Sequence, residues 1–278
     1  MSGGDRVFTS IKYVWTENIQ NLYRIYCIAK YELLAEMRDS RFGIFWNFAS
    51  PAIQVLTYWL VFGMAWGRQP VGNIPYLAWL VAGYSAWWFV KPCIERGCNS
   101  IFSKTNVITK MKFPVSVLPA TICVKEFFNH CCMMAIAFVT LFLHGFFPDL
   151  YWLGLIYYAI CAFAFSEAVA LILSVLNMLW RDVKKLVTSL MRMLMYFSPV
   201  IWECHFSDNV PYHDTLNFIM KLNPLYYIIN GYRDSIFYGT GFWQRPALTL
   251  YFWAATLILF AVGCMLMYRF RRKFIDLI

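Results

Sequence analysis

Charge is scarce in this chain. Only 14% of its 278 residues are Asp, Glu, Lys or Arg, against about 25% in an ordinary soluble domain. That excludes water as the main solvent of the fold. The sequence also lacks a G-x-x-x-x-G-K-[ST] loop for nucleotide phosphates, so any ATP chemistry has to come from a separate subunit. The histidines His130, His144, His205 and His213 have no metal-ligand spacing, and no Ser/His/Asp arrangement emerges. Cysteines are present but sit mostly inside apolar stretches, as Cys123, Cys131, Cys132, Cys161 and Cys264 do. Cys204 alone lies clearly outside, which excludes an external disulfide within one chain. Cys93 and Cys98 lack the partner ligands of a zinc site. Met1–Glu17 is polar, with no short apolar core before small residues, so no cleavable signal peptide is expected. There is no internal repeat and no low-complexity segment.

What the chain has instead is long apolar runs, with 60% of its residues hydrophobic. A hydrocarbon core needs roughly 20 apolar residues per helical crossing. Six stretches qualify: Ile44–Trp66, Ile74–Val90 running on toward Cys98, Val115–Phe147, Leu150–Leu179, Leu186–Trp202 and Ala247–Tyr268. Backbone groups in lipid must satisfy one another, so the expected fold is all-α, with residues 1–40 as a cytoplasmic N-terminal region and 41–278 as a six-helix membrane domain. Arg68, Pro70, Gly72 and Pro75 suit a short external turn between the first two runs. The basic residues gather on alternate connections: before the first run, around Lys91, Arg96, Lys104, Lys110 and Lys112, at Arg181, Lys184 and Lys185, and in the tail from Arg269. This bias predicts both termini on the cytoplasmic side of the cell membrane. It also accounts for the net charge of +9 without any nucleic-acid partner.

Between the termini and the spans, three segments stand out. Leu22, Ile25, Tyr26, Ala29, Leu33 and Met37 recur at helical spacing among charges that include Glu32, Glu36 and Arg38. They predict an amphipathic helix in the membrane interface. The connection Asn99–Pro114 is short and basic. Thr105, Asn106 and Thr109 supply cap-type residues for a brief cytoplasmic helix, which either docks on a soluble partner or forms an ordinary solvated loop. In the final external segment, Glu203–Arg245, two short apolar stretches flank Asn223-Pro224. They predict paired re-entrant or interfacial helices broken at Pro224.

Ionisable groups within spans are costly and functional by default. Lys125, Glu126, Glu167 and Arg192 reach similar depths, roughly 10–17 Å from the cytoplasmic surface at 1.5 Å per residue. They form either a polar belt along a pathway or mutually neutralising pairs, such as Lys125 with Glu167. Aromatic side chains are the second signal. Tyr58, Trp59, Phe62 and Trp66 line up on the first span, and Tyr196, Phe197 and Trp202 on the fifth. Flat faces with hydroxyl rims suit sugar surfaces, and the same residues also serve as interface anchors or packing.

Specific motifs then carry a resemblance. Arg41-Phe-Gly43-x-x-Trp46-x-x-x-x-Pro51 at the first span resembles the opening of type-2 ABC exporter permeases that move polysaccharides. Gln54-x-x-x-Tyr58-Trp59-x-Val61-Phe62-Gly63 is similar to their wall teichoic acid branch. Lys112-Phe113-Pro114, Pro119, Arg181-Asp182-Val183, Ser198-Pro199, Leu222-Asn223-Pro224-Leu225 and Tyr232-Arg233-Asp234 follow in the family's order. The resemblance runs from about Tyr31 to the C-terminus. It implies a homodimer of six-helix subunits, each docked on a separate ATPase subunit that binds ATP and Mg, with no cofactor in this chain and no enzyme activity of its own. The implied cargo is an undecaprenyl-diphosphate-linked wall teichoic acid, with O-antigen or capsular polysaccharide as the alternative. It would pass between the subunits along spans one and five, past the aromatic and ionisable residues named above. Arg41 would meet the anionic diphosphate or anchor the topology. Glu32, Glu36, Arg38, Ser103, Lys104, Asn106, Lys110 and Lys112 would carry the ATPase's movement into the spans. Arg181 and Asp182 would either close a local ion pair or touch the ATPase.

Overall fold

The computed structural model describes residues 3–39, 41–110, 113–203 and 212–271. Among them the architecture is all-helical, apart from one isolated bridge between Val71 and Ile74. Two helices precede the first apolar stretch: α1 (Gly3–Gln20) and α2 (Leu22–Arg38). α2 is the expected amphipathic helix, packed on its neighbours through Ile25 and Ala29. α1 was not anticipated, because its stretch is polar. It is held by Val14, which sinks into a small core with Leu171, Val175, Cys264 and Met267, and by the Arg271 guanidinium stacked between the rings of Tyr13 and Tyr268.

The first apolar stretch forms α3 (Phe45–Tyr58), which continues as a π-helix over Trp59–Ala65. The turn after it holds Gly72 at a φ of 58°, a left-handed conformation that costs glycine nothing. This lets Val71 and Ile74 exchange both backbone hydrogen bonds at 3.1 Å. Next come α4 (Tyr76–Cys98), the short pair α5 (Ser100–Ser103) and α6 (Thr105–Lys110), and α7 (Val117–Leu143). A 3₁₀ turn, Leu150–Leu153, leads into α8 (Gly154–Leu179), and α9 spans Val183–Tyr196. α4 is the central element, packed against both α7 and α8, and is buried along most of its length from Tyr76 to Cys98. Its close approach to α8 needs a small residue, since a Cβ on Gly97 would lie 2.7 Å from the Ala170 Cβ.

α3 with its π continuation, α7, α8 with its 3₁₀ lead, and the last helix, α12 (Pro246–Phe270), are long and apolar enough to cross a membrane. α4 has the length, but Lys, Glu and Arg interrupt its C-terminal turns. The fifth expected span, Leu186–Trp202, is corrected. The helix begins earlier, at Val183, and ends at Tyr196. Pro199 disfavours helical backbone in the residue before it, so the chain leaves the helix in turns over 197–200.

That irregular backbone is buried, and its carbonyls need donors. Arg233 supplies them, donating from Nη1 to the Pro199 carbonyl, from Nη2 to Val200 at 3.0 Å and from Nε to Trp79 at 3.2 Å. Arg68 and the Tyr76 hydroxyl both donate to the Ile201 carbonyl, the latter at 2.9 Å. Arg233 lies at the end of α11 (Pro224–Arg233), which follows α10 (His213–Leu222). The expected break at Asn223-Pro224 therefore separates two short helices. Asn223 caps α11 by accepting from the Leu225 N–H at 3.0 Å, and its amide donates to Ser198 Oγ at 2.9 Å. Replacing Asn223 by Ala is expected to cost about 1–2 kcal/mol, the upper part of the N-cap range. It should appear as a lower melting temperature of the detergent-solubilised protein, and an unchanged melting curve would show that the cap carries no stability.

Candidate functional site

A cleft of ≈ 440 Å³ opens between α3, α4 and α7, with Glu36 of α2 and Met195 of α9 at its borders. Helical spacing builds its walls. From α3 come Trp46, Asn47, Ser50, Gln54 and Tyr58, and from α4 come Tyr84, Trp87, Trp88, Lys91 and Glu95, each set recurring every three or four residues. Tyr58 and Tyr84 pair edge to face across the cleft at 5.6 Å, and Tyr84 meets Trp88 of its own helix at 5.8 Å. Glu126 and Asn129 of α7 complete it. A second, more charged groove of ≈ 500 Å³ shares Glu36, Glu95 and Arg96 with the cleft and runs past Lys104 and Lys125 toward α5.

An ion network stands where the two cavities meet. Lys125 donates to Glu36 at 2.7 Å, Arg96 to Glu126 at 2.7 Å, and Asn129 to the other Glu126 oxygen at 2.9 Å. Arg96 also lies 3.6 Å from Glu36, and Lys125 lies 3.8 Å from Glu126. The Lys125 and Glu126 side chains are 6% and 2% exposed, while Glu36 and Arg96 are half exposed. Charges buried this deeply stay ionised only when paired. The network therefore fastens α2 to α4 and α7, and Lys104 with Glu32, at 2.6 Å, fastens α2 to the start of α6.

Several expected juxtapositions change. Lys125 pairs with Glu36, not with Glu167. Glu167 lies elsewhere, near Cys123, and its Oε2 is buried without a hydrogen-bond partner. The four ionisable residues of the expected belt thus separate. Lys125 and Glu126 join the network, and Arg192 is exposed on α9, bonding Thr188 and Ser189 of its own helix. Of the aromatic stripe on the first span, Tyr58 lines the cleft, while Trp59 and Phe62 pack on the core and Trp66 is exposed. Trp59 directly follows Tyr58 and so points about 100° away from it, and the π-helical bonding from Trp59 on shifts the residues after it relative to the face that α3 presents. Tyr196 at the end of α9 and Phe197 just after it lie exposed, and the Trp202 indole donates to the Tyr196 carbonyl at 2.8 Å. Arg181 and Asp182 do not pair. Asp182 bonds Lys185 at 3.2 Å, and Arg181 sits over the Phe102 ring at 5.2 Å. Successive residues leave a helix start in different directions, whereas i,i+3 neighbours meet. Arg38, Arg41, Ser103 and Asn106 are exposed. Lys112, Cys204 and His205 lie outside the described residues, as does the side chain of Lys110.

The sequence reading missed the α4 stripe and the polar run Asn47, Ser50 and Gln54 as cleft residues. Their signal was present as neutral polar groups at three- and four-residue spacing inside an apolar helix. It was masked by the stronger aromatic pattern further along the same span.

A family model for the ABC-2 type transporter matches residues 23–237, the stretch from α2 through α11 that builds both cavities. The chain belongs to the ABC-2 type transporter family. Three O-antigen export system permease proteins RfbA are among its relatives. One from Klebsiella pneumoniae is 28% identical over 256 residues, covering 90% of this chain and 93% of the relative. A second from the same organism is 28% identical over 232 residues, covering 77% and 85%. One from Myxococcus xanthus is 25% identical over 207 residues, covering 74% and 77%. With its long apolar helices, this ABC-2 transporter chain is an integral membrane permease. α1 and the Tyr13–Arg271–Tyr268 clasp lie outside the residues that the ABC-2 model matches.

Proposed function

We propose that this chain is the membrane subunit of an ATP-driven exporter of lipid-linked polysaccharide of the O-antigen kind. The observation that carries it is the near full-length similarity to O-antigen export permeases. The same similarity favours this reading over the wall teichoic acid branch that the Gln54–Gly63 motif suggested. The cleft supports it chemically, since aromatic faces with amide and hydroxyl neighbours suit a sliding sugar chain.

In this reading α4 and α9 cross the membrane together with the four apolar helices, and both termini are cytoplasmic. The charge bias supports six crossings. With only four, Lys91, Arg96, Lys104, Arg181, Lys184 and Lys185 would all fall on the outer side, against the positive-inside rule. α4, at about 34 Å for 23 residues, is long enough. A second copy of the chain covers the open side of the cleft, where Leu56 and Leu60 of the first span and Leu190, Met193 and Tyr196 of α9 lie exposed. A separate ATPase subunit docks below α2 and α5–α6 and drives the movement through Glu36, Lys125, Arg96 and Glu126.

Deleting the gene is expected to abolish surface polysaccharide and to leave lipid-linked polymer inside the cell. The purified chain should bring down an ATPase whose hydrolysis rises with that polymer. Normal surface polysaccharide in the deletion strain, or export by the chain without any ATPase, would overturn the proposal.

A further inference from the structure

We infer that α1 is a lipid-binding helix, with Phe8, Trp15 and Ile19 entering the acyl chains of the leaflet on the side of the two termini, and with Lys12 and Arg271 receiving an anionic lipid headgroup. α1 lies outside residues 23–237, which the ABC-2 model matches, so this contact is separate from the amphipathic helix α2.

The depth of α1 follows from what it touches. Val14 packs with Leu171 and Val175 of α8 and with Cys264 and Met267 of α12. Those residues precede the ends of their helices, Leu179 and Phe270, by three to eight positions. At 1.5 Å per residue, Val14 sits about 5–12 Å inside the ends of two membrane-crossing helices. Arg181 and Arg269, which mark where water begins, come after this level in the chain.

The faces of α1 then divide cleanly. Phe8, Trp15 and Ile19 are all exposed, and at 100° per residue they fall within about 40° of one another. Val14 and Thr16 point to either side of Trp15, Val14 into the protein and Thr16 to an exposed polar face. An apolar stripe at the level of the last turns of the spans faces acyl chains, and a tryptophan there suits the interface. A water-soluble partner would meet the polar face instead.

Charge completes the match. Beside the stripe, a groove of ≈ 500 Å³ is lined by Lys12, Arg271, Thr9 and Thr16 among others. Its one carboxylate, Glu17, already accepts from the Tyr13 and Ser116 hydroxyls. Arg271 is fixed there between the rings of Tyr13 and Tyr268, at 4.4 and 4.0 Å. Lys12 stands at the border of stripe and groove, where its stem can lie along apolar surface with its ammonium at headgroup level.

The test places p-benzoylphenylalanine at Phe8, Trp15, Ile19 or Thr16 of the full chain, one position at a time, and identifies the adducts by mass spectrometry after irradiation. In membranes of the producing cells, the three stripe positions should yield mainly phospholipid adducts, and Thr16 severalfold fewer. In vesicles of phosphatidylethanolamine and phosphatidylglycerol in equal amounts, adducts at Trp15 should favour phosphatidylglycerol by about fivefold, the factor that one lysine contributes beside an anionic surface. Lys12→Gln should remove most of that preference. Phe8 and Ile19 give the same reading if the chain altered at Trp15 fails to insert. Adducts from the stripe to a second copy or to another protein, equal lipid adducts from Thr16, or no preference between the two lipids would each overturn the inference.

Discussion

Arg233→Ala is expected to remove the folded permease from the membrane. The guanidinium is 1% exposed, lies 3.3 Å from the centre of the Trp79 ring, and donates to the carbonyls of Trp79, Pro199 and Val200. Bonds from a charged donor contribute about 1.5–3 kcal/mol each, so their joint loss costs at least about 3 kcal/mol. That is a large share of a typical stability of roughly 5–15 kcal/mol. Gly83 makes the seat possible, because a Cβ there would lie 2.9 Å from Arg233 Nε and closer still to the rest of the guanidinium. Gly83→Ala should destabilise by about 1–3 kcal/mol as an overpacked site. In the Arg233→Ala background that cost should vanish, since the atoms it collides with are gone. Melting temperatures of the two single variants and the double variant in detergent measure this. Additive losses would mean that Gly83 and Arg233 do not share a seat.

Lys125→Glu is expected to be nearly as damaging, and its rescue identifies the partner. The new carboxylate would stand between Glu36 and Glu126, where the lysine Nζ now lies 2.7 Å and 3.8 Å from their oxygens. Breaking a buried pair costs about 3–5 kcal/mol, and the half-exposed position of Glu36 lowers that figure through solvent screening. Adding Glu36→Lys restores opposite charges across the same contact and should recover most of the membrane-inserted protein and its surface polysaccharide. Glu167→Lys should recover nothing. An immunoblot of membranes together with a surface-glycan stain reads both outcomes. Rescue by Glu167→Lys would show that Lys125 turns toward α8 in the working protein.

Much of the helix plan is legible in the residues alone. Apolar stretches terminated by Gly, Pro and charge predict α3, α7, α8 and α12 to within a few residues. The spacing Leu22, Ile25, Ala29 and Leu33 predicts α2, and Asn223-Pro224 predicts the break between α10 and α11. α1 escapes because, among the described residues, its one deeply buried apolar side chain, Val14, stands alone in a polar segment. The end of α9 was available in Ser198-Pro199, but the apolar residues beyond it suggested that the helix continued. For a related reason the Gln54–Gly63 motif pointed to the teichoic acid branch, whereas the relatives found are O-antigen export permeases. Tyr58 does line the cleft, but Gly63 serves packing, since a Cβ there would lie 3.0 Å from the Trp59 ring and 3.2 Å from Tyr76. A residue that serves a helix contact reports the fold more than the substrate.

The pairing of charges was the least legible part. Depth along each span can be counted from the sequence, and it placed Lys125 and Glu167 at one level. Depth says nothing about which way a helix faces. The rotation of α7 relative to α2 and α8 is set by how their side chains interdigitate, with Val117 and Ala120 seated against Ile25.

Composition and the spacing of apolar residues were sufficient by themselves for a helical membrane protein, because transfer into lipid depends on each segment's own side chains. Only the tertiary structure decided that Glu36 meets Lys125 and that Arg233 holds the broken end of α9. Those contacts join residues far apart in the chain, and their geometry depends on how the helices pack and turn against one another.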